Sequence, residues 1–85
     1  MFYLQFIEDE DKRAMYARLS VFYAGDDSYL TQYDFITRDL AQAHPYACVE
    51  DAERALRRSR YSGGLRVVPE ADILLSREAR RQVRR

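Results

Sequence analysis

Hydrophobic positions along the first seven residues alternate. Phe2, Leu4 and Phe6 share one face at a period of two, and Phe2–Ile7 is rich in β-formers, so the pattern predicts a strand. Glu8–Arg13 is uniformly charged and reads as a turn. The alternation then returns: Met15, Ala17, Leu19, Val21 and Tyr23 point one way, while Tyr16, Arg18, Ser20 and Phe22 point the other. This predicts a second strand over 14–24, long enough to be bent or bulged. A competing reading makes 9–19 a short helix capped by Asp9 or Asp11, since Met15, Leu19 and Phe22 also fit helical spacing. Gly25-Asp26-Asp27 is a tight-turn signal, and Ser28–Tyr33 returns as a third strand. Thr37–Ala43 reads as one helical turn with Thr37 as its cap, ended by His44-Pro45.

Residues 49–60 carry the clearest helical stripe, with Val49, Ala52, Ala55, Leu56 and Ser59 at i, i+3, i+4 spacing. Acidic residues come first and arginines last, which complements the helix dipole. Glu50–Arg54 and Glu53–Arg57 are spaced as i,i+4 ion pairs. Gly63-Gly64 stops the helix, Leu65–Val68 is a strand closed by Pro69, and Ser76 is placed to cap a terminal helix over 77–84. The expected fold is therefore α+β: an antiparallel sheet of about four strands, one main helix packed on one face, and a short C-terminal helix. With 85 residues and neither a linker nor a repeat, the chain reads as a single domain spanning 1–85.

Charge is the first property to change this picture. Residues 1–51 hold ten acidic and four basic side chains, net −6, and residues 52–85 hold four acidic and ten basic ones, net +6. A neutral total therefore conceals two opposed halves, an arrangement suited to docking on a charged partner. Lysine occurs once, as Lys12, against thirteen arginines. Codon bias produces such a skew, and so does selection for bidentate contacts to phosphate or carboxylate. The apolar start lacks a basic lead-in and runs into Glu8–Asp11, so it reads as a strand rather than a targeting signal. A single cysteine excludes an internal disulfide and fits a reducing cytoplasm, the expected location being that of a bacterial host cell.

Part of the chain resembles a known pattern. Tyr29-Leu30-Thr31, Phe35-x-Thr37-x-Asp39-Leu40-x-x-Ala43, Asp51-Ala52-Glu53-x-Ala55-Leu56 and Val67-Val68-Pro69 resemble a pattern of small proteins from phages, prophages and other mobile elements. In that pattern a β-hairpin leads through a turn into one helix and a closing strand, and such small proteins include anti-CRISPR inhibitors. The resemblance covers about half the chain and its motifs are architectural. Where the pattern carries Ser at the helix start, this chain has Cys48.

Candidate chemistry is sparse. Cys48 at a helix start invites a lowered thiol pKa, but Glu50 and Asp51 beside it oppose a thiolate. Asp39, His44 and Cys48 supply a Cys–His–Asp set by type, yet Pro45 keeps His44 and Cys48 off a shared helix face. One His and one Cys leave a tetrahedral zinc site short of ligands. No cofactor or metal is expected, and the chain reads as a non-enzymatic binding protein.

Seven tyrosines are the stronger signal, because Tyr combines an apolar body with a polar tip suited to interfaces. Tyr3, Tyr16, Tyr23, Tyr29 and Tyr33 fall on predicted strands, and aromatics on both sheet faces imply a second covered face, hence a dimer or a protein-binding sheet. The expected protein-binding residues are Tyr16, Tyr23, Tyr29 and Tyr33 with Asp26 and Asp27. The acidic run Glu8–Asp11 joins those two aspartates as a candidate acidic patch. Arg54, Arg57, Arg58, Arg60, Arg77 and Arg81 are the expected contacts to protein or nucleic acid. Stoichiometric inhibition of a host protein or nucleoprotein complex is the leading expectation, of the anti-CRISPR type by resemblance. The alternative is a small nucleic-acid-binding regulator using the arginines. A second copy of the chain is a further candidate partner, and a membrane is not.

Overall fold

The segment with two competing periodicities is a helix, and Asp9 decides it. In a computed structural model that describes residues 1–21, 23 and 28–83, with side chains described up to residue 79, helix α1 runs Glu10–Arg18. The Asp9 carboxylate accepts hydrogen bonds from the Asp11 and Lys12 amides at 3.0 and 3.2 Å, and Glu10 and Asp11 fill the first turn. At the other end Ser20 takes a positive φ of 55°, and the Ser20 and Val21 amides donate back to Ala17 and Tyr16. The predicted strand over 14–24 is thus replaced by the competing helix. Alternation there was incidental, because the apolar residues face no core: α1 buries none of its side chains.

Four antiparallel strands form one sheet in the order β3-β2-β1-β4, with β1 at Phe2–Phe6, β2 at Tyr29–Leu30, β3 at Ile36–Thr37 and β4 at Leu65–Pro69. The expected α+β class holds, but the strands are distributed differently. The segment 28–33 does not run on as one strand. Thr31 interrupts it, its hydroxyl accepting from the Tyr33 and Phe35 amides at 3.3 and 3.2 Å, and the chain turns into β3. The turn after β3 follows its sequence signals: the Thr37 hydroxyl accepts from the Asp39 amide, and the Asp39 carboxylate from the Ala41 amide.

β1 is central and covered on both faces, which is why its burial is nearly continuous rather than alternating. On one face Leu4, Phe6, Leu30 and Leu65 pack against Ala52 of helix α2 (Val49–Arg58), with Phe2, Ile36, Ala55 and Leu56 around them. Ala52 is fully buried, so the helix approaches the sheet closely there. On the other face Tyr3, Tyr29 and Val68 meet Ala43, Leu40 and Ile73. Ile73 belongs to helix α3, which spans Glu70–Val83 and begins seven residues before the expected start. Pro69 ends β4 as expected, but Glu70 and Asp72 already supply an acidic first turn, and Ile73-Leu74-Leu75 is helical. The Tyr3 hydroxyl donates to Glu70 at 3.3 Å and fastens the start of α3 to β1.

One core group is mismatched. Ser28 is 1% exposed, and its hydroxyl has no hydrogen-bond partner among the described residues. A buried unmet hydroxyl costs more than the methyl that replaces it. Ser28→Ala should therefore stabilise the domain by about 1 kcal/mol in urea unfolding. A loss of stability would show that the hydroxyl is bonded in solution.

Candidate protein-docking surface

Helix α1 stands off the end of the sheet and leaves a cleft of about 460 Å³ between itself, the end of β1 and the 3-10 turn Ser62–Gly64. Its lining is mostly aromatic and aliphatic: Phe6, Ile7, Tyr16, Tyr23, Ile36 and Tyr61, with Asp9, Lys12 and Arg60 as charged groups. The rings are held edge to face. Phe6 and Tyr61 have centroids 5.3 Å apart at 69°, and Tyr16 and Tyr23 5.3 Å apart at 87°. Tyr23 also fastens the base of α1: its hydroxyl accepts from the Asp9 amide at 2.7 Å and donates to the Ile7 carbonyl at 3.4 Å. Arg13 lies 5.9 Å over the Tyr23 ring and pairs with Glu8, while Arg60 lies 5.7 Å over Tyr61. Gly63 and Gly64 leave open space where a Cβ would stand, so the backbone forms part of the wall.

Tyr61 is positioned by a short relay. Asp34, at the tip of the β2–β3 hairpin, accepts the Ser59 hydroxyl at 2.5 Å and the Arg60 Nε at 2.8 Å, and the Ser59 oxygen accepts the Tyr61 amide at 3.1 Å. The carboxyl of Asp34 is held below its ordinary range, first by the Ser59 hydroxyl and then by Arg60.

The structure sorts the residues expected to bind a partner. Tyr16 and Tyr23 come together in the cleft. Tyr29 does not join them: it is 1% exposed, a core residue under Arg77, whose guanidinium lies 5.8 Å over the ring. Arg77 is correspondingly occupied within the fold. Tyr33 is on the hairpin tip, 70% exposed and beside exposed Phe35, away from the cleft lining. Asp26 and Asp27 lie outside the described residues, as does the side chain of Arg81. The second sheet face, expected to be covered by a partner, is covered over Tyr3 and Tyr29 by α3 and the 40–43 turn of the same chain. Tyr61, Phe6 and Lys12 were not among the binding residues expected from sequence. Their grouping depends on how α1 and the end of β1 meet, although an aromatic beside Ser62-Gly63-Gly64 was a usable signal for Tyr61.

The arginines are interleaved with carboxylates. Arg54 bonds Asp51 at 3.2 Å, an i,i+3 pair in place of the expected Glu50–Arg54 and Glu53–Arg57 pairs. Arg60 pairs with Asp34, and Arg66 donates from Nε and a terminal nitrogen to Gln5 at 3.1 and 2.8 Å. Arg57 and Arg58 project from the exposed side of α2. Arg54 and Arg58 share a shallow depression with Asp34 and Asp51, so this surface is mixed rather than uniformly basic.

The Asp39, His44 and Cys48 side chains have structural surroundings. Asp39 closes its turn, and the His44 ring packs edge to face on Tyr46 with centroids 4.6 Å apart. Cys48 occupies the start of α2 without closing a side-chain cap bond. The Asp51 amide lies towards the sulfur and favours a thiolate, but the Asp51 carboxylate, desolvation and Glu50 together raise the thiol pKa. Among the described residues no group of three or more His, Cys, Asp or Glu is placed to hold a metal ion, and no helix is long and apolar enough to cross a membrane. The chain matches no protein-family model, no curated protein and no solved structure.

Proposed function

We propose that this domain is a non-enzymatic binding protein that holds a segment of a partner protein in the cleft between α1 and the 3-10 turn. The cleft carries this reading: rings of Phe6, Tyr16, Tyr23 and Tyr61 offer an apolar slot, and Lys12 and Arg60 stand in its lining. An aromatic or aliphatic anchor flanked by a carboxylate is the complementary chemistry. The resemblance to small mobile-element proteins extends the reading to stoichiometric inhibition of a host complex, of the anti-CRISPR kind. The interleaving of arginines with carboxylates favours a protein partner over bare phosphate backbone, which rewards a continuous basic surface.

Affinity purification from nuclease-treated bacterial lysate, followed by native mass spectrometry, tests this. A complex of defined 1:1 stoichiometry is expected. Tyr16→Ala and Lys12→Glu should each weaken it at least about tenfold, as loss of a central anchor or reversal of a flanking charge does. Recovery of nucleic acid alone from untreated lysate, with binding abolished by Arg57→Ala and Arg58→Ala instead, would replace this reading with the nucleic-acid regulator.

A further inference from the structure

Gly63 and Gly64 are explained by neither the backbone nor the packing of this fold. In the sequence they signal a helix stop, but α2 has already ended at Arg58, with Ser59 extended. Neither takes a positive φ, and both lie in the 3-10 turn, a conformation that residues with a Cβ also adopt. Beyond the turn itself, no heavy atom lies within 4 Å of where a Cβ would stand at either position. The segment is nonetheless held in place. The Gly64 amide donates to the Tyr61 carbonyl at 2.8 Å, and the Gly64 carbonyl accepts from the Ile7 amide at 2.9 Å. Glycine costs conformational entropy on folding, and the fold needs it at neither position, since alanine would serve both. What the two residues share is the cleft, whose wall they form with Phe6, Tyr16 and Tyr61.

We infer that Gly63 and Gly64 are the specificity-determining residues of the cleft, admitting an aromatic side chain laid flat on their bare backbone with a carboxylate beside it. Docking of a protein segment, as proposed above, is presupposed, and its anchor is narrowed from any apolar side chain to an aromatic one. Peptide units without Cβ atoms are flat and approachable, the arrangement used where backbone comes close to a ligand. A planar ring makes the most of such a wall, whereas a branched aliphatic chain has no use for a flat one. The lining rings suit the same guest. Phe6 and Tyr61 cross at 69°, and Tyr16 and Tyr23 at 87°, so a guest ring finds both edges and faces to pack on. The charge of the guest follows from how the lining is paired. Arg60 is taken by Asp34, and the Asp9 carboxylate by the Asp11 and Lys12 amides. Among the described residues Lys12 makes no ion pair, so its ammonium is the cation left for a carboxylate. A longer side chain at 63 or 64 would stand between the ring and its wall.

N-acetylphenylalanine, a ring with a carboxylate, is the probe, with N-acetylleucine and N-acetylphenylalaninamide as controls that lack the ring and the carboxylate. In NMR titrations of the isotope-labelled full chain, the amides of Lys12 and of residues 61–64 should shift with N-acetylphenylalanine. Its affinity should exceed that of N-acetylleucine by about two- to tenfold, and that of the amide by about two- to fivefold. Gly63→Ala and Gly64→Ala should unfold at higher urea than the parent, because the backbone does not need glycine there. Gly63→Leu and Gly64→Leu should fold as the parent does but bind the ring probe at least about tenfold more weakly. Alanine variants that unfold at lower urea would overturn the inference by making the glycines structural. So would leucine variants that bind the probe as the parent does, equal affinity for the three probes, or no binding of any. The docking function fails separately: it is lost if no 1:1 complex is recovered from lysate, even where the ring probe seats in the cleft. It stands if Gly63→Leu and Gly64→Leu capture the partner as the parent does, a result that overturns only the role of the glycines.

Discussion

Leu4→Ala should lower stability by about 3 kcal/mol, within the range measured for deleting a buried leucine side chain. Leu4 is 1% exposed, sits in the central strand and is packed in the cluster with Phe6, Leu30, Ala52 and Leu65. Its neighbours are held from two sides, by α2 above and by strands on both flanks, so they cannot collapse into the vacated space. A domain of this length has a total stability of roughly 4–13 kcal/mol, at about 0.05–0.15 kcal/mol per residue. The variant thus removes a large share of it, and the midpoint of thermal unfolding should fall by about 12–24 °C, at about 4–8 °C per kcal/mol. Protein concentration is held fixed across the comparison. Urea unfolding with an unchanged slope should report the same loss, and Leu74→Ala, on an exposed position, should stay within about 0.5 kcal/mol of the parent. A Leu4→Ala loss below about 1 kcal/mol would mean that the α2 face of the sheet is not the main core.

The elements legible in the sequence are those whose signals are local and agree with one another. β1, α2 and β4 each carry a clean hydrophobic pattern; the charged run after Ile7 and Pro69 end the two strands, whereas α2 ends at Arg58 with Ser59 extended, short of the expected residue 60 and of Gly63-Gly64. Ambiguity arose where two periods fit the same residues. Met15 and Leu19 satisfy both strand and helix spacing, and only the cap geometry at Asp9 separates the two. In α3 the acidic start at Glu70 and Asp72 was present, but three consecutive apolar residues, Ile73 to Leu75, obscured the helical stripe. One of them meets Tyr3 and Tyr29 in the core, and the other two remain exposed, a split that depends on tertiary placement. The hairpin tip was hidden in Tyr29–Phe35 because β-forming residues flank it closely, and the Thr31 hydroxyl that organises the turn carries no strong breaker signal.

The candidate site shows the same division. Of the tyrosines flagged by their abundance in the sequence, Tyr16 and Tyr23 meet in the cleft. Tyr29 was indistinguishable from them in sequence because it shares their composition and strand-like setting, and only the folding of α3 across the sheet buries it. The sorting of charge by position has a similar fate. In space Arg54 meets Asp51 and Arg60 meets Asp34, so the opposed halves are partly neutralised across short distances. Of the exposed cations of α2, Arg54 and Arg58 line the mixed depression with Asp34 and Asp51.

Asp34→Ala should cost about 2 kcal/mol, mainly through the Ser59 hydroxyl's lost charged acceptor, and should also loosen the cleft. Asp34 has a φ of 64°, so its backbone is in the left-handed region that Asp tolerates better than Ala. Its carboxylate joins the β2–β3 hairpin to the end of α2 through Ser59 and Arg60, and Ser59 in turn fixes the Tyr61 amide. Asp34→Gly separates these effects: it removes the same bonds but relieves the backbone, so it should destabilise less than Asp34→Ala while disturbing Tyr61 equally. The pH dependence has a definite sign. The folded carboxyl titrates below its ordinary value of 3.8, held down by the Ser59 hydroxyl and then by Arg60, against an opposing effect of burial. Its contribution is therefore fully present above the unfolded pKa and is lost as pH falls through the lower folded one. The stability difference between the parent and Asp34→Asn should be constant from neutral pH down to about 5 and shrink below about 4. Because the same carboxylate sets Tyr61, partner binding should weaken over that acidic interval in the parent more than in Asp34→Asn. A stability difference that stays flat to pH 2, followed by urea unfolding, would remove Asp34 from its role as the link between hairpin, helix and cleft.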